Sequence, residues 1–169
     1  MPRAKLLAAL LSAGVVFGLG ACKDGPTEPI GAEASFHAVW NGREWEGQAD
    51  AVLRSWPSAL DTLYVVGWRR TGSEEEEYVL VKVPYTGPGT YVLGPGSARM
   101  SYIVGGDALA AEYETGAEGA GTLRIQTAAA ETITGEVQFH AAAKPGARPA
   151  GATAAFVGEF TAPLALDPN

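Results

Sequence analysis

Phe36-His37-Ala38-Val39-Trp40-Asn41-Gly42-Arg43-Glu44-Trp45 is the stretch whose reading decides the fold. Its apolar residues recur with the period of two that belongs to a strand, not the 3.6 of a helix. At its centre, Asn41-Gly42 is the dipeptide that accepts positive φ at both inner positions of a type I′ turn. A two-residue loop there sets the register, with Trp40 opposite Arg43 and Ala38 opposite Trp45. Phe36, Ala38, Trp40 and Trp45 then share one face, where a large ring beside a small alanine packs well.

The same period continues downstream. Leu60 to Arg70 alternates Thr62, Tyr64, Val66 and Trp68 against Leu63, Val65, Gly67 and Arg69. A Thr-Gly-Ser-Glu-Glu-Glu-Glu turn leads into Tyr78 to Val83, and Gly89 to Gly94 resumes after a Pro- and Gly-rich break. Ala98 to Val104 and Leu109 to Thr115 form a pair about Gly105-Gly106, and Thr122 to Thr127 follows. Thr132 to Ala143 points Ile133, Gly135, Val137 and Phe139 inward, and Thr153 to Leu164 does the same with Phe156 and Phe160. The Ala-rich stretches 107–112 and 127–131 are too short, and too closely flanked by Gly or β-branched residues, for more than a turn or two of helix. About ten closely spaced strands predict an all-β domain, a single antiparallel β-sandwich or flattened barrel. A membrane-spanning barrel is the rival. Charged residues on strand faces and the lack of aromatic girdles weigh against it.

Upstream of the hairpin the character changes. Arg3 and Lys5 precede fifteen uncharged, mostly apolar residues from Leu6 to Gly20, the layout of a secretory signal. The uncharged span between Lys5 and Lys23 makes ~26 Å of helix, short of a hydrocarbon core of ~30 Å. The segment ends in Leu19-Gly20-Ala21-Cys22, which resembles a lipobox, the recognition site of lipoprotein signal peptidase. Cleavage before Cys22 would leave its thiol to take a diacylglyceryl group. Cys22 is the only cysteine in the chain, and lipidation would remove the anomaly of a free thiol in an oxidising compartment. Residues 1–21 are thus expected to be a signal peptide, 22–34 a lipidated cysteine with a flexible tether, and 35–169 the globular domain. A tether rich in Pro, Gly and acids builds no packed element and spans roughly 20 Å. Lys23 directly follows the cysteine where Asp would favour retention at the inner membrane, so by resemblance to that sorting rule the outer membrane is expected.

Phe36-x-Ala-x-Trp-Asn-Gly-x-x-Trp45, Gly89-Thr-Tyr91, Ile133-Thr-Gly-x-Val-x-Phe139 and Gly158-Glu-Phe160 together resemble a group of uncharacterised bacterial lipoproteins. These open with an N-G-x-x-W hairpin after the anchor and close with a Gly-x-Phe strand. The resemblance implies an all-β fold and no established activity.

Without Arg3 and Lys5, ten basic residues face nineteen acidic ones, a net charge of −9. Such a chain lacks the basic footprint of a nucleic-acid binder and any polybasic patch for anionic lipid. Its membrane partner is reached through lipid on Cys22. No Gly-x-Ser-x-Gly elbow occurs, and His37 and His140 fall on separate strands, so no catalytic residue is assigned. Metal-ligand spacings are missing as well, and no metal or cofactor is expected. Glu74 to Glu77 reads as a solvated charge run, and the Glu112/Glu114 pair as a loop end. Trp40, Trp45 and Trp68 are in phase with other apolar residues and are expected in the core, which leaves Trp56 as the candidate aromatic for an exposed ligand. The expected function is a non-enzymatic binding or structural module of the cell envelope, meeting glycan or protein. A carrier of a small apolar ligand inside a barrel, then an envelope hydrolase, are the alternatives.

Overall fold

The computed structural model describes residues 33–56, 59–104, 108–116, 121–129, 131–144 and 153–168. The expected signal peptide, its Leu19-Gly20-Ala21 recognition site, Cys22 and all but the last two tether residues lie outside the described residues. What is described is all-β. Ten strands follow one another: β1 (Ser35–Trp40), β2 (Arg43–Ser55), β3 (Thr62–Arg70), β4 (Glu75–Pro84), β5 (Gly89–Leu93), β6 (Ala98–Val104), β7 (Ala108–Glu114), β8 (Gly121–Ala128), β9 (Thr132–Ala143) and β10 (Thr153–Pro168). Of the two Ala-rich stretches, residues 108–112 fall on β7 and residues 127–128 on the end of β8. β10 runs four residues past its expected end.

The opening hairpin forms as its sequence requires. Asn41 has φ 49° and Gly42 φ 78°, and the register pairs Trp40 with Arg43 and Ala38 with Trp45. The strands make one sheet in the order β1-β10-β2-β3-β4-β6-β7-β9-β8-β5, with further pairings of β1 to β2 and of β10 to β9. The path from β10 through β2, β3, β4, β6, β7 and β9 returns to β10, so the sheet closes in a ring. β8 and β5 continue from β9 as a branch outside it.

One pairing departs from the antiparallel expectation. β10 runs parallel to β2 from Leu164 opposite Ala51 to Pro168 opposite Ser55. The short β1 explains it. β1 lies antiparallel to β2 as far as Gly47 and to β10 as far as Thr161. Two strands antiparallel to the same third strand must run parallel to each other, and beyond the start of β1 their free edges meet. Pro163, which has no N–H to give to a ladder, stands at the changeover.

Inward side chains fill the ring. Phe36, Trp45, Phe139, Phe156 and Phe160 are all at most 3 % exposed. Phe36 meets Trp45 edge-on at 5.6 Å and Phe156 at 5.7 Å, and Phe139 stacks on Phe156 at 5.1 Å. Ring pairs in these geometries contribute ~0.5–1.5 kcal/mol beyond the area they bury. Gly67 makes the layer possible, because a Cβ there would stand 2.5 Å from Phe36 Cδ2. That glycine also fixes the parity of β3: Leu63, Val65 and Gly67 are buried, and Trp68 turns to the outer face, half-buried beside Tyr64 and Val66. The core expected for Trp68 is therefore wrong. Both faces of β3 are apolar, and period alone did not choose between them.

Candidate functional site

Because β8 and β5 leave the ring at β9, six strands lie side by side in the order β2-β1-β10-β9-β8-β5. Their outward side chains line a groove of about 670 Å³. The registers arrange these side chains in two rows that cross the strands. One row runs Glu44, Val39, Val157, Gln138, Thr122 and continues in register to Val92 beyond the groove lining, and its neighbour runs Glu46, His37, Glu159, Glu136, Arg124, Thr90. Rows two residues apart along each strand stand ~7 Å apart.

The first row has an apolar middle. Val39 is 46 % and Val157 58 % exposed, an unusual use of two β-branched residues placed directly opposite each other. The second row is charged. Arg124 lies 3.9 Å from Glu136, and His37 Nδ1 is 3.7 Å from Glu46. Exposed pairs of this kind contribute at most ~1 kcal/mol. Glu44 and Glu159 have no ion-pair partner among the described residues. With four glutamates against Arg124, the lining has a formal charge of −3 with His37 neutral. Past the charged row, a smaller hollow of about 290 Å³ is lined in part by Ser35, Thr134 and Thr161.

A second polar centre sits at the mouth of the ring, below the hairpin tip. Glu77 is not part of a solvated run as its neighbours suggested. Its residue is 8 % exposed, on the inward phase of β4, and its Oε2 accepts from Trp45 Nε1 at 2.8 Å and from Arg69 Nε at 2.7 Å. The Arg69 guanidinium also lies over the Trp45 ring at 5.3 Å. Trp40, Arg43, Arg69 and Glu77 border a small cavity of about 280 Å³, and Trp40 Nε1 is buried with no hydrogen-bond partner among the described residues. Glu76 faces out, held below its ordinary range by a hydrogen bond from Tyr78 and another from Arg70.

Glu112 lies within β7, away from the expected loop end, and Glu114 is the last residue of that strand. Glu114 meets Lys144 Nζ at 2.8 Å and Arg99 at 3.5 Å, Arg99 is 3.3 Å from Glu112, and Lys144 also pairs with Glu112. Two acids and two bases thus balance in charge, although Arg99 Nε and Glu112 Oε1 are in ion-pair range without hydrogen-bond geometry, and Lys144 holds the Glu114 carboxyl below its ordinary range.

Trp56 follows β2 directly and is 42 % exposed. It is not a free platform. Arg54 lies 5.9 Å above its ring and 5.8 Å from that of Tyr64, and the same guanidinium reaches Asp167 of β10 at 2.8 Å. His37 and His140 are not brought together. Both are exposed, but His37 is opposite Glu159, which is opposite Glu136, four residues from His140 along β9. Among the described residues no group of three or more His, Cys, Asp or Glu is placed to hold a metal ion. Sequence reasoning singled out His37 but missed the groove around it. Its signal was Val39 and Val157, apolar residues on the outward phase of strands whose inward phase is already apolar.

A family profile described as "Domain of unknown function (DUF6252)" matches residues 33–159. The comparison with curated proteins and the comparison with solved structures each found no match.

Proposed function

The chain belongs to this family with a domain of unknown function, and on that premise we propose that it is a lipid-anchored binding module of the bacterial cell envelope. The observation that carries the binding part is the groove of about 670 Å³ on the outer sheet face. Its size is that of a site for a ligand or a short segment of a partner. It is built on strands rather than loops, so its side chains are held at fixed spacing. The carrier alternative needs room inside the ring, where Phe36, Trp45, Phe139, Phe156 and Phe160 are packed instead.

The anchor rests on the sequence. Leu19-Gly20-Ala21-Cys22 closes an apolar run that opens with Arg3 and Lys5, and two or more acyl chains on one cysteine are sufficient for stable attachment. Lys23 supports delivery to the outer membrane. Separation of the envelope on a density gradient tests the address. The protein is expected in the outer-membrane fraction, and recovery in the soluble periplasmic fraction would overturn the anchored reading.

A further inference from the structure

We infer that the groove takes a short, extended, cationic segment of a partner protein. The inference rests on the groove being the binding site, and it adds the chemistry of the occupant. Charge makes the first selection: four glutamates and Arg124 line the groove, so an anionic partner is repelled and a cationic one drawn in. Glu159 makes no ion pair among the described residues, and exposed Glu136 has Arg124 at 3.9 Å from one carboxylate oxygen and accepts from Gln126 Nε2 at 2.5 Å with the other. Glu159 can exchange water for an incoming ammonium or guanidinium, and Glu136 can do so by giving up exposed contacts that contribute little.

Shape makes the second selection. Six strands at ~4.8 Å spacing give rows ~24 Å long, the reach of about seven extended residues. An extended chain points successive side chains to opposite sides. Lying edge-on between the two rows, it would send one set of side chains to Val39 and Val157 and the alternate set to Glu136 and Glu159. Apolar residues alternating with Lys or Arg therefore satisfy both rows at once. A neutral sugar can donate hydroxyls to the carboxylates but leaves their charge uncompensated, and a helix presents its side chains at the wrong period.

Full-length lipoprotein in detergent, titrated calorimetrically, provides the test. The probes are a peptide of alternating valine and lysine, its valine–glutamate counterpart, and a neutral N-acetylglucosamine oligosaccharide. The lysine peptide alone is expected to bind. Glu136→Gln with Glu159→Gln, isosteric changes at exposed positions, should weaken it about tenfold, about 0.5 M salt should do the same, and Val157→Arg should abolish it. Equal binding of the glutamate peptide, indifference to the double Gln variant, or no heat from any probe would overturn the inference. An oligosaccharide that binds and is expelled by Val157→Arg would overturn the cationic occupant but leave the groove a binding site. A lysine peptide held equally by wild type and Val157→Arg would overturn the groove itself.

Discussion

Trp45 and Glu77 stand thirty-two residues apart in the chain and share a hydrogen bond at the mouth of the ring. A carboxylate there is costly to desolvate, and it is held by the indole N–H and by Arg69. Breaking a buried pair from one side commonly costs ~3–5 kcal/mol. The Arg69 side chain remains 28 % exposed, which reduces the expected loss for Glu77→Leu to about 2 kcal/mol. Arg69→Met with Glu77→Leu should cost less than the two single changes together, because no charge is left unmatched. Urea unfolding of the four proteins checks this, and strict additivity would show that the pair is not coupled. Gly67→Ala tests the aromatic layer: its methyl would stand 2.5 Å from Phe36, and overpacking of that kind costs ~1–3 kcal/mol. A midpoint unchanged from wild type would mean that Phe36 moves aside freely. Neither Glu77 nor Trp68 was legible in the sequence. In a run of four glutamates, and on a strand apolar on both faces, parity is set by partners many residues away.

The hairpin was legible down to its register because turn type and pairing are local. Asn41 holds φ 49°, and its side chain accepts from Ala155 N at 2.7 Å across to β10. Asn41→Ala should therefore cost about 1–2 kcal/mol, from the left-handed backbone and the lost hydrogen bond together. Asn41→Gly, which relieves only the backbone, should cost less. The reverse order in thermal melts would refute that account. The strand inventory was equally readable, and so were the inward phases of β9 and β10, where Ile133, Val137, Phe139, Phe156 and Phe160 are buried. The parallel β2–β10 pairing was not, since it follows from a third strand lying between two distant ones, and the branch that makes the groove was hidden for the same reason. Among the described residues the seam between β7 and β9 is the thinnest joint of the ring, with Tyr113–Ala143 and Glu114–Ala142 paired. The Lys144 cluster sits on that seam. Lys144 depresses the Glu114 pKa, so this contribution is present above the ordinary 4.5 and is lost as pH falls through the lower folded value. The carboxylates raise the Lys144 pKa, so its contribution is present below the ordinary 10.5 and is lost as pH rises through the higher folded value. The stability difference between wild type and Lys144→Met should be level between those limits and shrink outside both. A difference independent of pH would remove the cluster from the seam's energetics.

At the scale of the whole molecule, address and fold are separable. β1 begins at Ser35 and its Phe36 is already fully buried, so the packed domain starts thirteen residues after Cys22. If the intervening stretch is the coil expected from its composition, it would reach roughly 20 Å and transmit little packing energy. The chain from Cys22 onward carries nineteen acidic side chains against ten basic ones, a poor composition for holding anionic lipid, so under the proposed anchoring the acyl chains would carry the membrane attachment. Cys22→Ser should then change where the protein is and leave untouched what it is. The variant is expected to move from the detergent phase to the aqueous phase, or to persist as uncut precursor, with the thermal midpoint of its β domain unchanged. Mass spectrometry of the mature N-terminal peptide should find wild-type Cys22 as the first residue, carrying a diacylglyceryl thioether. An unmodified Cys22, or a mature terminus elsewhere, would leave an ordinary secreted β domain. A Cys22→Ser variant still held in the detergent phase would instead mean that the folded domain binds the membrane by a surface of its own.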